Sequence, residues 1–207
     1  MSLRIVLATR NAGKIREIRS ILADLDVELL DSSAFPPFPE PPEDGDTFYD
    51  NALLKAKAVH RATGLPALAD DSGIEVDALG GAPGVRSARF GGAALTDAGR
   101  CAKLLEALRG VDAEKRGAHF HCVAVLFPAP GKRDGDVATE GFLYGRIAES
   151  PRGDNGFGYD PVFFVPERGR TVAEMDAAEK NSMSHRYRAL VELKHLLDRE
   201  YGIALRS

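Results

Sequence analysis

The first thirty residues set the strongest limit on the fold. Arg4-Ile5-Val6-Leu7-Ala8-Thr9 is a compact apolar run of the kind a buried strand uses, and it stops at Asn11-Ala12-Gly13, a turn signal. Ile15, Ile18, Ile21, Leu22 and Leu25 then recur at helical spacing, and Val27-Glu28-Leu29-Leu30 reads as a second strand. Strand, helix and strand in this order make a βαβ unit, which commits the chain to an α/β sheet.

The rest of the chain is read against that start. Phe35-Pro36-Pro37-Phe38-Pro39-Glu40-Pro41-Pro42 is a loop, because proline locks φ and removes backbone donors. Thr47 caps a helix whose apolar positions Phe48, Ala52, Ala56 and Val59 share one face, ending near Gly64-Leu65-Pro66; Asn51 and Lys55 stand one turn apart on it. Ala67-Leu68-Ala69 is a short strand that runs into Asp70-Asp71-Ser72-Gly73, and Ile74 to Ala78 alternates like a half-exposed strand, so the acidic pair is expected at a strand junction. Thr96 opens a helix through Cys101, Leu104, Leu105 and Leu108. Gly117 to Phe127 and Val137 to Ile147 are longer β-like runs joined by Pro128-Ala129-Pro130-Gly131, the pattern of a hairpin with a long loop, and a second lobe is expected there. The last third holds the strand Val162 to Val165 and a final helix with Leu190, Leu193, Leu197 and Tyr201 on one stripe.

Bulk properties narrow the function classes. A chain of 207 residues lies between one large domain and two small ones, and 44% hydrophobic with 28% charged residues is the balance of an ordinary globular protein. The formal charge of -4 does not favour a nucleic-acid backbone, so a phosphate ligand must be held by a local cluster of cations. No apolar run approaches the roughly 20 residues a membrane helix needs, and no signal peptide opens the chain, so a cytoplasmic protein is expected. Cys101 and Cys122 are isolated and read as buried small hydrophobes.

Four segments carry candidate chemistry. Thr9-x-Asn11-x-x-Lys14 lies where a strand hands over to a helix, so backbone N–H groups and the positive end of the helix dipole face outward beside a lysine, which suits an anion. Asp70-Asp71 places two carboxylates side by side, inviting either a raised pKa or a bound cation; with phosphate oxygens they form a hard-oxygen shell suited to Mg²⁺, to which Glu43 adds another oxygen. Gly153 to Asp160 sets three glycines around Phe157 and Tyr159, bringing backbone and an aromatic face close to a ligand. Lys180, His185 and Arg186 crowd the start of the final helix, where cations are unwelcome without an anion, and the donors of His185 and Arg186 suit acceptor atoms on a base edge. Gly80-Gly81-Ala82-Pro83-Gly84 is read as a supporting loop.

Taken in order, Thr9-Arg10-Asn11-Ala12-Gly13-Lys14, Asn51 to Ala56, Ala69-Asp70-Asp71-Ser72-Gly73, Gly80 to Gly84, Gly156 to Pro161 and Ser184-His185-Arg186 resemble the non-canonical purine NTP pyrophosphatase family, also called inosine triphosphate pyrophosphatases. The resemblance covers nearly the whole chain. It implies a single domain over 1–207 with an elongated α/β fold, a mixed twisted sheet with flanking helices, two lobes enclosing a nucleotide cleft, and a homodimer. By the same resemblance Thr9, Arg10, Asn11, Ala12, Gly13 and Lys14 form the triphosphate-binding turn, with Lys55 as a second phosphate cation. Asp71 resembles the proton acceptor and a metal ligand, Glu43 a further metal-side carboxylate and Ser72 a substrate contact. Phe157, Gly158, Tyr159 and Asp160 look like the segment that packs the base, and Lys180, His185 and Arg186 like the remaining substrate contacts. The implied activity is Mg²⁺-dependent hydrolysis of ITP, dITP or XTP to the monophosphate and pyrophosphate. A pyrophosphatase for other nucleotides and a non-hydrolysing nucleotide sensor are the alternatives.

Overall fold

The structure is a computed structural model that describes all residues except Met1, Glu40, Ala93 and Ser207. The elements run β1 Leu3–Leu7, α1 Ala12–Ile21, β2 Val27–Asp31, α2 Phe48–Thr63, β3 Ala67–Val76, α3 Asp97–Ala107, β4 Gly117–Phe127, β5 Val137–Ile147, β6 Phe163–Val165, β7 Arg170–Thr171, α4 Ala177–Asn181 and α5 His185–Tyr201. Strand order is β2-β1-β3-β4-β5-β6-β7. β1 pairs parallel with β2 and β3, as the βαβ opening requires, whereas β6 pairs antiparallel with both β5 and β7, so the sheet is mixed.

Two compact units share these elements. The first takes Met1–Asp71, Cys122–Gly141 and Arg186–Ser207; the second takes Ser72–His121 and Phe142–His185. In the first, Ile5, Leu7 and Leu68 from the strands pack with Ile18, Ile21 and Leu22 of α1 and Leu190, Leu193 and Leu197 of α5. Strand side chains alternate between faces, so Val6, Ala67 and Ala69 point the opposite way, and α2 buries Phe48, Ala52, Ala56 and Val59. In the second, Ile74, Val76, Ala118, Phe120 and Leu143 of the strands pack with Cys101, Leu104 and Leu108 of α3 and with Tyr159, Phe163 and Met175. Glu75, His119, His121, Phe142 and Tyr144 alternate with that core set, and Tyr144 is 61% exposed.

Capping chemistry ends the helices where the sequence marks them. Thr47 accepts from Asp50 N at 3.1 Å to open α2, and Gly64 closes it in the left-handed region at φ 72°, which glycine adopts without a Cβ clash. Asn11 and Thr96 accept from Lys14 N and Gly99 N to open α1 and α3. Among the described residues of the proline-rich stretch there is no helix or strand, and a single 3₁₀ turn precedes it at Ser32–Ala34.

One expectation is corrected. Asp70-Asp71-Ser72-Gly73 is not a junction between two strands: β3 runs unbroken for ten residues through it. Asp and Ser break strands when their side chains bond their own backbone. Here both carboxylates bond side chains of other elements instead. The two-residue β7 and five-residue α4 are also beyond what periodicity detects.

Candidate active site

Adjacent residues of a strand face opposite ways, and this separates Asp70 from Asp71. Asp70 shares the face of Leu68, towards α1 and α5. There Lys14 Nζ, from the first turn of α1, lies 3.0 Å from Asp70 Oδ2 and 3.3 Å from the Asp70 carbonyl oxygen. Arg186 Nε and Nη2, from the first turn of α5, donate to the same Oδ2 at 3.1 and 3.0 Å, while its Nη1 donates to Glu17 Oε2. Burial alone would raise the Asp70 carboxyl, but Arg186 and Lys14 hold it well below the usual carboxylate range. Asp70 is therefore a fixed anion.

Asp71 shares the face of Ala69, towards α2. Lys55 Nζ donates to Asp71 Oδ1 at 2.7 Å and also meets Glu43 Oε1 at 2.6 Å. Asn51, one turn earlier on α2 and fully buried, donates to Asp71 Oδ2 at 3.3 Å and accepts from Gly45 N at 2.9 Å. A Cβ on Gly45 would stand 2.7 Å from Asp50 Cβ, so only glycine lets the loop close on Asn51. Burial pushes the Asp71 carboxyl up against the pull of Lys55 and Lys14, with Glu43 adding to the rise. Burial would lower the Lys55 ammonium, but Asp71 and Glu43 more than offset that. A carboxyl raised yet held beside a cation has the character of a proton acceptor.

The turn ahead of α1 is built to leave amides outward. Thr9 Oγ1 accepts from Asn11 N at 3.2 Å and Asn11 Oδ1 from Lys14 N at 3.1 Å. Ala12 and Gly13 occupy the first helical positions, where a helix offers their N–H groups no carbonyl. Arg10, in contrast, donates to Phe38 O at 3.1 Å and ties the turn to the proline-rich loop.

The second unit holds the other candidates. Lys180 Nζ donates to Asp160 Oδ2 at 2.6 Å and stands 4.4 Å from the centre of the Phe157 ring. Asp160 Oδ2 also accepts from Phe157 N at 2.9 Å, and Gly158 N donates to Asp97 Oδ2 at 2.7 Å. A Cβ on Gly156, at φ +79°, would collide with the Asp160 carboxylate, so this loop needs its glycine. Tyr159 is buried and donates to Ser87 O at 2.9 Å, leaving Phe157 and Gly158 as the half-buried members of the segment. His185 is buried with its ring stacked on Phe120, 4.7 Å between centres, and Ser72 is half-buried on β3.

The cation argument made from sequence is revised by these pairings. Lys180 lies in the last turn of α4, where a cation is welcome, not at the start of α5. Its anion is Asp160, and the anions of Arg186 are Asp70 and Glu17, so protein carboxylates already balance both. Arg186 is 1% exposed, and three of its donors are spent on those carboxylates. Glu17 and Asp97 escaped the sequence reading, because they acquire meaning only from partners distant in the chain. Asn51 was read as standing one turn from Lys55, and the structure adds its bond to Asp71. Both cysteines are buried, and burial pushes the Cys101 thiol up to about 11 and that of Cys122 higher still, so neither is reactive.

A hard cation fits the first unit on its donor chemistry. Asp71 and Glu43 bond one ammonium, so their oxygens face a common point, and Mg²⁺ needs only one or two carboxylates when phosphates and waters complete its shell. Among the described residues no group of three or more His, Cys, Asp and Glu side chains suits a metal.

The description of the Ham1 family matches residues 5–196. A dITP/XTP pyrophosphatase of Geobacter sulfurreducens is 53% identical over 92% of this chain and 94% of its own, and one of Geobacillus kaustophilus is 51% identical over 91% of each. Among solved structures, a HAM1 protein from Coxiella burnetii is similar with a TM-score of 0.84 at 46% identity, covering 94% of this chain and 98% of that one.

Proposed function

The chain belongs to the Ham1 family, and from that premise we propose that it hydrolyses non-canonical purine nucleoside triphosphates, ITP, dITP and XTP, to the monophosphate and pyrophosphate, clearing them from the nucleotide pool. The observation that carries the reading is Asp71: a buried, raised carboxyl gripped by Lys55, with Lys14 held by the neighbouring carboxylate. Asp71 accepts a proton from a water whose oxygen bonds the α-phosphorus as the bond to the bridging oxygen breaks. Pyrophosphate leaves with the bridging oxygen. Lys14, Lys55 and the amides of Thr9 to Lys14 stabilise the charge that develops on it. Mg²⁺, held by Asp71 and Glu43, supplies neutralising charge to the phosphate oxygens when bound. Ser72 contacts substrate, the base packs on the Phe157 to Asp160 segment beside Lys180, and His185 offers a donor to the 6-position acceptor that hypoxanthine has and adenine lacks. Arg186, bonded to two carboxylates, contributes by holding Asp70.

The protein acts in the cytoplasm as a homodimer on a free nucleotide. For the dimer, Tyr144 offers an exposed aromatic surface outside the second core. No helix among the described residues is long and apolar enough to cross a membrane. Pyrophosphate release from ITP, XTP, GTP, ATP and dUTP, each with and without Mg²⁺, tests the activity. Release from ITP and XTP only with Mg²⁺ supports it. Preference for GTP, ATP or dUTP, or binding of ITP without release, overturns it.

A further inference from the structure

Glu17 has no place in the chemistry above, yet it occupies a costly position. It is buried on α1, three residues after Lys14, and therefore on the same helical face. A buried ion pair is a weak stabiliser, because desolvating both charges offsets their attraction and a well-packed apolar pair does as well. Its use lies in geometry. The Arg186 guanidinium is divided: Nη1 goes to Glu17, while Nε and Nη2 go to Asp70 Oδ2, the oxygen that also bonds Lys14 Nζ. Three nitrogen donors thus converge on one carboxylate oxygen, which the Cys122 thiol also faces at 3.8 Å, and Glu17 draws the guanidinium the other way.

We propose that Glu17 is a positioning residue, which, through Arg186 and Asp70, fixes where the Lys14 ammonium stands to receive a phosphate group. The two carboxylates and two cations balance while Glu17 is charged. Without that charge the guanidinium settles on Asp70, takes up the oxygen that Lys14 shares, and leaves the lysine only its longer bond to the Asp70 carbonyl oxygen. The anion that Lys14 would receive is then met by a less restrained side chain, and affinity falls while the proton acceptor on the other face of β3 is untouched. This rests on the reading of Lys14 as a phosphate cation.

A double-mutant cycle tests it in the full-length protein, with two readouts: steady-state ITP hydrolysis, and calorimetric binding of inorganic pyrophosphate, which needs no turnover. Glu17→Gln is expected to raise KM and weaken pyrophosphate binding by about tenfold, mid-range for residues in one charge network, with kcat within about threefold. In a Lys14→Ala background the same substitution is expected to change either readout by less than about twofold, since its route is gone. Loss of kcat without change in KM, unchanged pyrophosphate affinity, or an equal loss in the Lys14→Ala background overturns the proposal. If Glu17→Gln does not fold, Glu17→Asp is read in its place: it keeps the charge, and the same KM-selective, Lys14-dependent pattern at about threefold is expected, with additivity again overturning it. Wild-type protein that binds pyrophosphate through Lys14 but leaves ITP intact would sink the proposed activity and leave this inference standing.

Discussion

Asp70 and Asp71 are chemically identical neighbours, and the alternation of a strand gives them opposite surroundings. Asp70 is pinned as an anion among Arg186 and Lys14, while burial lifts Asp71 beside Lys55. Replacing Asp71 with asparagine removes proton acceptance but keeps the shape, so turnover of ITP is expected to fall by roughly two to four orders of magnitude. Pyrophosphate affinity measured by calorimetry should stay within a few-fold, and near-normal turnover would exclude Asp71 from the reaction. The raised pKa also sets a pH limb. The proposed proton acceptance needs Asp71 ionised, so kcat/KM should fall as pH drops through a value above the ordinary aspartate pKa of about 3.9. A pH–rate profile whose acid limb lies at or below that value contradicts the assignment.

At the scale of elements, caps and glycines hold the candidate residues in register. α2 carries both Asn51 and Lys55, and its start depends on Thr47. Thr47→Ala is expected to cost about 1 kcal/mol in urea denaturation, the usual effect of losing a helix N-cap. Gly156→Ala tests the second unit: its Cβ would displace the Asp160 carboxylate, which bonds both Phe157 N and Lys180. A rise in KM for ITP with a lowered melting temperature is expected, whereas unchanged KM would remove the Phe157 segment from substrate binding. These elements were legible because capping and turn residues act over three or four positions. The unbroken course of β3 was not legible, since Asp-Asp-Ser-Gly is a turn signal until distant cations occupy its side chains.

For the whole molecule, the buried charges tie stability to pH. The folded pKa of Asp70 lies below its unfolded value of about 3.9. Its contribution is therefore fully present above that pH and is lost as pH falls through it towards the folded value. The melting temperature should drop steeply below about pH 4, and Asp70→Asn should flatten that slope while costing about 3–5 kcal/mol near neutrality, because it leaves Arg186 partly uncompensated. Calorimetry from pH 2 to 7 on both proteins checks the sign. Sedimentation equilibrium checks the proposed homodimer, and a monomer at all concentrations would overturn it.

The sequence by itself determined the α/β class, the capped starts of α2 and α3 and the residue types proposed to meet a phosphate, because each depends on neighbours within a few positions. It also carried the family through motifs in a fixed order. Tertiary structure alone decided which anion each cation meets. Arg186 lies 116 positions from Asp70 and 169 from Glu17, and no local period encodes such pairings. Burial then turned those pairings into the difference between a carboxyl held low and one pushed up, since the cost of charge in a low dielectric depends on what the folded chain places beside it.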